Sequence, residues 1–222
     1  MKTKQSIRIS LLLIILPLLN SCIGLSLNIQ MNKDGSGKLA MEYRISKMLD
    51  SLGALDGNDS IPAIPLSKAD FEKSIARVPG AKLSSFSSTE DKKDTIIKVV
   101  VDYKDDQTLL ALLDPQTGGK TSLNRQGQNG NLNITLMDDS VDLSDYSEEV
   151  IEQVRVFFEG YDIAVSFSGQ DNTKLTITDK NGSAIPAQSN AKTVLSGKKV
   201  SYSIGIMDLM EMKSGLKLQF SW

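Results

Sequence analysis

Apolar and polar residues alternate along much of this chain, and a period of two is the pattern of a β-strand with one buried face. The clearest run is residues 25–32, where the apolar side chains occupy every second position: Leu25, Leu27, Ile29 and Met31. An Asp-Gly-Ser-Gly turn at 34–37 follows, and residues 38–45 read as a returning strand. The sequence therefore predicts a β-hairpin near the start of the folded body.

Similar runs, separated by turn residues, predict further strands. These strands cover residues 81–89, 95–103, 121–125, 131–137, 161–168, 174–179, 200–206 and 216–222. The run at 95–103 is the richest in β-branched residues, which indicates a central position in a sheet. Because 40% of the residues are hydrophobic, the chain can bury a core of ordinary size.

Capping residues predict helices between these strands. The predicted N-caps are Ser67 with Asp70 in a capping box, Asp105 or Asp106, and Asp145 or Ser147. The last of these helices is the most amphipathic, with apolar residues at helical spacing: Val150, Ile151, Val154, Phe157 and Phe158. A fourth, short helix is predicted over residues 46–55. The predicted fold class is α+β: an antiparallel β-sheet built from hairpins, with about four α-helices packed on it.

The first 21 residues differ from the rest. Lys2, Lys4 and Arg8 form a positive segment, and an apolar run with one proline follows at 11–19. That run is shorter than the roughly 20 residues that a membrane-spanning helix needs, and it has the length of a signal-peptide core. We therefore expect a signal peptide at 1–21 and a single extracytoplasmic α+β domain at 22–222.

The only cysteine of the chain, Cys22, follows this segment directly. Residues 19–22, Leu-Asn-Ser-Cys, resemble the lipobox of bacterial lipoproteins. The resemblance implies cleavage between Ser21 and Cys22 and attachment of palmitate-type acyl chains to Cys22. The protein would then be a bacterial lipoprotein of the cell envelope, anchored outside the cytoplasm on a membrane or at the cell surface. The alternative is an ordinary secretory signal with an incidental cysteine.

The net charge of the chain supports attachment to a membrane through lipid. The chain has a net charge of −2, and loss of residues 1–21 would remove three positive charges and no negative ones. Anionic head groups repel an acidic body, so acyl chains and not a basic patch would have to hold it at a membrane. The same acidity argues against nucleic acid as a partner.

Composition also restricts the chemistry. With no histidine and one cysteine, the chain can build neither an internal disulfide, nor a Cys/His zinc site, nor a Ser-His-Asp triad. We therefore predict no enzyme activity, no cofactor and no metal site.

Several weaker motifs favour ordinary structural roles. Gly119-Lys120-Thr121 matches the end of a phosphate-binding loop, but Asp114 stands where that loop begins with glycine. An acidic patch lacks the spacing of a calcium loop and is interpreted as solvated turns: Asp138, Asp139, Asp142, Asp145 and Glu148. Three methionines, Met207, Met210 and Met212, form either part of the core or an adaptable surface.

Both ends of the predicted mature chain carry a pattern found in one family. A Lys-Asp-Gly-Ser-Gly turn lies at 33–37, and further matching segments lie at 161–165, 189–190 and 197–204. This pattern resembles the LppM-type domain of bacterial envelope lipoproteins. The resemblance implies an α+β domain and a location in the envelope, without a defined biochemical role.

Two classes of function remain open. One is a binding or structural module that holds a protein partner or an apolar ligand, with apolar residues of 150–158 and 204–212 lining a groove. The other is an envelope hydrolase that uses paired carboxylates on glycan. An apolar groove would favour the first class, and two carboxylates facing each other across a cleft would favour the second.

Overall fold

The computed structural model of the chain describes residues 23–47, 66–117, 120–138, 146–169, 172–185, 191–212 and 214–222. The predicted signal peptide, the predicted positions Ser21 and Cys22, and nearly all of the helix predicted over 46–55 lie outside these ranges. Within them, no helix has the length and apolar character needed to cross a membrane.

The described ranges contain eleven strands and four helices. The strands are β1 (Ile23–Met31), β2 (Gly37–Ser46), β3 (Ala81–Glu90), β4 (Asp94–Tyr103), β5 (Thr121–Gln126), β6 (Asn129–Met137), β7 (Asp162–Ser168), β8 (Lys174–Thr178), β9 (Lys192–Ser196), β10 (Lys199–Gly205) and β11 (Leu216–Ser221). The helices are α1 (Lys68–Ile75), α2 (Asp106–Thr117), α3 (Glu148–Phe158) and α4 (Ile206–Met210). Only β9 has no counterpart among the predicted strands.

The strands form two sheets. Seven of them follow the order β3-β4-β2-β1-β7-β10-β9, and four follow the order β5-β6-β11-β8. β1 is the middle strand of the larger sheet, antiparallel to β2 on one side and parallel to β7 on the other. The predicted fold class was therefore wrong: the body is mostly β, with two sheets, one of them mixed, instead of one antiparallel sheet carrying helices.

The error has a physical cause. A period of two identifies which residues of a strand face the core, but not the sheet that the strand joins or its direction. Parallel neighbours need a long connection, and the chain between β1 and β7 supplies one that includes α1, α2 and α3. Distant segments of the chain thus decide the pairing.

Aromatic stacking joins the two sheets. The Phe167 ring of β7 stacks on Phe220 of β11 and on the following Trp222, with ring centroids 5.8 and 4.7 Å apart. Phe167 and Phe220 are completely buried. Each sheet therefore turns its apolar face toward the other, as in a sandwich.

The helices add to the same core. Phe71 of α1 lies between the rings of Tyr43 and Phe86, at 6.0 and 5.7 Å. α2 contributes Leu109 and Leu113, both with no exposed surface. The three C-terminal methionines are also buried in this cluster, so they form part of the core: Met207, Met210 and Met212.

The capping predictions are confirmed. Ser67 and Asp70 form both halves of a capping box on α1. The backbone N–H of Thr108 donates to the Asp105 carboxylate at 2.8 Å, and Ser147 accepts from the Val150 N–H at the start of α3. These interactions are local in sequence, so the residues alone predict them.

One arginine connects the first hairpin to the second sheet. The Arg125 guanidinium of β5 pairs with Asp106 at 2.7 Å and donates to the carbonyl oxygens of Lys33 and Asp34 at 3.1 and 3.2 Å. Gly35 has φ of +89°, and a Cβ there would lie 2.2 Å from the guanidinium. The left-handed backbone of the turn therefore favours glycine at 35, and a larger side chain there would displace the Arg125 guanidinium.

Removal of the central aromatic ring tests the two-sheet core. Phe167→Ala is expected to lower the free energy of unfolding by about 3–5 kcal/mol, because it leaves a cavity between the sheets. Chemical denaturation should still give a single transition. The exposed control Ser87→Ala should change stability by less than about 0.5 kcal/mol. Two separate transitions in the wild type would contradict a shared core.

Candidate functional site

Several strands of the larger sheet begin or end at the same edge. Because β1 and β7 are parallel, both begin at this edge, where the register pairs Leu25 with Ile163. β10 runs antiparallel to β7 and ends here at Gly205. We call it the Ile23 edge, after the first residue of β1.

An open cleft of about 510 Å³ lies at the Ile23 edge, between α3, α4 and the ends of β7, β9 and β10. Its apolar lining includes the buried residues Phe158, Ile206 and Met207 and the largely exposed Val156. Its charged lining consists of Glu152, Glu159, Asp162, Asp208, Arg155 and Lys192. The acidic cleft thus has an apolar part within a charged rim, and its volume is that of a small-molecule site.

Carboxylates dominate the rim because its arginine is already paired. Arg155 contacts Glu211 at 2.5 Å and Glu152 at 3.3 Å. These pairs are exposed and contribute little to stability, but they occupy the guanidinium. Glu159, Asp162 and Asp208 therefore outnumber Lys192 on the rest of the rim.

Two of these carboxylates flank Gly205. A Cβ at position 205 would lie 2.7 Å from Asp208 Oδ2 and 3.9 Å from Asp162 Oδ1. Gly205 is the N-cap of α4 and makes no side-chain cap bond, while Asp208 lies in the first turn, where the helix dipole favours a negative charge. A side chain at 205 would fill the space that these carboxylates face.

A buried carboxylate supports the wall of the cleft. The Tyr161 hydroxyl donates to Asp94 Oδ1 at 2.5 Å, and Arg44 approaches Asp94 Oδ2 at 3.3 Å. Asp94 is only 5% exposed, so both partners are needed to offset its loss of hydration. This cluster holds Tyr161 in place at the beginning of β7.

A second tyrosine, Tyr202, lies on β10 next to the lining residue Ser203. Burial, and to a smaller extent the Asp208 carboxylate, raises the pKa of the Tyr202 hydroxyl. Tyr202 is therefore neutral at physiological pH.

The motifs noted in the sequence lie elsewhere or have structural roles. Asp34 accepts from the N–H and hydroxyl of Ser36 at 3.0 and 2.7 Å, and these bonds lower the pKa of its carboxyl group. Lys120 pairs with Asp138 at 2.8 Å, whereas Asp139, Asp142 and Asp145 lie outside the described ranges. Across the described residues, no group of three or more cysteines or carboxylates could hold a metal ion.

The sequence did not identify the residues of the cleft. Glu152, Asp162 and Asp208 lie on three different elements, and no spacing links them. The nearest signal was the apolar pattern of residues 150–158, since the same helix presents Val156 and Arg155 to the cleft. The cleft forms because the antiparallel β7–β10 pairing places the end of β10, and the α4 that follows it, beside the beginning of β7, which α3 precedes.

Comparison with known proteins gives one distant structural likeness. No family model and no curated protein matches the chain. Among solved structures, the NMR structure of the folded domain of LppM from Mycobacterium tuberculosis is similar, with a TM-score of 0.42 and 11% identity. The match covers 89% of this chain and 88% of that one. The chain thus has a weak LppM-like structural resemblance.

Mutation of Tyr161 tests whether its hydrogen bond to the buried Asp94 stabilises the wall of the cleft. Tyr161→Phe removes a donor from a buried carboxylate and should lower the free energy of unfolding by about 1–3 kcal/mol. Tyr146→Phe, at a half-buried position before α3, serves as the matched control and should have a smaller effect. Equal losses in the two variants, measured by urea denaturation, would contradict a structural role for the Tyr161 hydroxyl.

Proposed function

We propose that the protein is a bacterial envelope lipoprotein, cleaved after Ser21 and lipidated on Cys22, whose body binds a ligand at the membrane surface. One observation carries this proposal: Ile23, the residue after Cys22, already belongs to the middle strand of the larger sheet. Acyl chains on Cys22 would hold the Ile23 edge against the bilayer without a flexible linker.

The position of the acidic cleft supports a role at that surface. The cleft opens at the Ile23 edge. Two of its lining residues lie at the start of β7, the strand that pairs with β1: Tyr161 immediately precedes β7, and Asp162 is its first residue. A ligand leaving the head-group layer would therefore meet the cleft close to the anchor.

The lining favours an amphiphile over a purely apolar molecule. Val156 offers an exposed apolar side chain, to which the mostly buried Phe158, Ile206 and Met207 add a little apolar surface. The carboxylates of the rim accept hydrogen bonds from hydroxyl or amine groups. The segment 204–212 gives most of its apolar side chains to the core, so a long apolar groove does not form from it. We infer a ligand with a small apolar part and a polar or cationic head.

The envelope hydrolase remains a second candidate because of one feature. Asp162 and Asp208 both face the space beside Gly205 within the cleft. Paired carboxylates in a cleft are the arrangement that glycoside hydrolysis uses. The position of Asp208 in the first turn of α4 gives it a structural role as well, which favours binding.

Replacement of the cysteine tests the anchor. In the producing bacterium, wild-type protein should enter the detergent phase on Triton X-114 partitioning, whereas Cys22→Ala should stay in the aqueous phase, because the thiol is the only site for the lipid. Ser26→Ala, an exposed change on β1, should behave as the wild type. Detergent-phase recovery of Cys22→Ala would exclude lipid anchoring at this residue.

Native mass spectrometry tests the ligand class. The detergent-purified full chain, incubated with lipid extract of the envelope, should retain an additional mass. Val156→Glu should abolish retention, because it replaces the exposed apolar residue of the cleft lining with a charge. Val194→Glu, which changes an exposed valine on β9 outside the cleft lining, is the matched control and should retain the ligand.

Two results would contradict the amphiphile proposal. One is no retained mass with the wild type, or equal loss in both valine variants. The other is glycan cleavage by the wild type that Asp208→Asn or Asp162→Asn abolishes, which would select the hydrolase.

A further inference from the structure

A second groove, of about 640 Å³, lies on the outer face of the four-stranded sheet. Its described lining consists mainly of amide, hydroxyl and ammonium side chains: Lys120, Thr121, Ser122, Asn133, Thr135, Thr176, Thr178, Lys217 and Gln219. No carboxylate belongs to this described lining, although the chain contains 27 acidic residues. We call this surface the amide face.

A row of side chains crosses all four strands of the amide face. The register places Asn133 between Ser122 and Gln219, and it places Thr176 on the far side of Gln219. The Gln219 amide donates to Asn133 Oδ1 at 2.8 Å, and the Asn133 amide donates to Ser122 Oγ at 3.1 Å. The second N–H of the Asn133 amide donates to Asn131 Oδ1 at 3.2 Å. These bonds fix the orientation of the amides and leave open the carbonyl oxygens and one N–H of Gln219.

Strand propensity does not explain this composition. Asparagine is depleted in β-strands, yet Asn129, Asn131 and Asn133 occupy alternate positions of β6. The outer face of the larger sheet uses ordinary cross-strand ion pairs instead, Lys38 with Asp102 at 3.3 Å and Lys98 with Glu42 at 3.2 Å. Departures from local preference of this kind are characteristic of functional surfaces.

The two lysines of the lining are engaged by the protein itself. Lys120 pairs with Asp138 at 2.8 Å, and the Lys217 ammonium donates to the Lys180 carbonyl oxygen at 2.8 Å. The amide face therefore presents mostly uncharged donors and acceptors. Among the described lining residues only Lys217 keeps a positive charge without a carboxylate partner, and a polyanion site uses several such charges.

We propose that the amide face binds a neutral oligosaccharide. A sugar hydroxyl donates one hydrogen bond and accepts two. Asn133 Oδ1 can accept one more bond, and the Gln219 amide keeps one N–H donor and its carbonyl oxygen for a ligand. The only apolar residue of the described lining, Leu218, is completely buried, so the aromatic and aliphatic anchors of protein interfaces are absent from it. The amide face shares no described residue with the acidic cleft and does not depend on lipid at Cys22.

Ligand-observed NMR tests this proposal. The full chain in deuterated detergent is mixed with chitohexaose, maltohexaose or hexagalacturonate, and saturation transfer from protein to sugar is measured. At least one of the two neutral sugars should receive saturation at millimolar concentration, whereas hexagalacturonate should receive none. Detergent without protein provides the blank.

One substitution separates binding from folding. Asn133→Thr should weaken sugar binding about tenfold, because the amide contacts are lost. The same change should maintain or raise the thermal midpoint, because threonine is the better strand residue. Gln153→Ala, at an exposed amide on α3, should change neither quantity.

Three results would overturn the proposal. The first is the absence of saturation transfer with both neutral sugars. The second is binding of hexagalacturonate alone with loss at high salt, which would indicate an anion site at the lysines. The third is unchanged affinity for the neutral sugar in a folded Asn133→Thr variant.

Discussion

The parallel pairing of β1 with β7 is the constraint on which the rest of the structure depends. It places the first residue of β1 beside the beginning of β7, and β10 then ends at the same edge. α3 and α4 are connected directly to these strand ends, so the acidic cleft forms where they meet. If Cys22 carries lipid, the same pairing sets the distance between the cleft and the membrane.

The outer faces of the two sheets carry different types of side chain. On the larger sheet, oppositely charged side chains such as Lys98 and Glu42 lie across from each other, as is usual for an exposed sheet face. On the smaller sheet, the corresponding positions hold amides and hydroxyls that bond to one another.

Interactions between residues near in sequence were predictable. The Ser67–Asp70 capping box, the cap at Ser147 and the first hairpin each depend on a few consecutive residues, and all are present. The strand at 95–103 was correctly placed inside a sheet, since it pairs with both β2 and β3, but β1 and not β4 is the middle strand. The alternation of apolar and polar residues shows which face of β4 is buried, but it does not show which strands pair with β4.

The sequence alone determined the approximate positions of the described strands except β9, the helix caps, and which side chains of the strands face the core. It also excluded histidine-based catalysis and internal disulfides. Those properties follow from spacing and residue type, which are local. Only the tertiary structure decided that the strands divide into two sheets, that β1 and β7 run parallel, and that Asp162 and Asp208 face one space beside Gly205. These features depend on contacts between residues far apart in the chain, and no local pattern of residues encodes which distant partners meet.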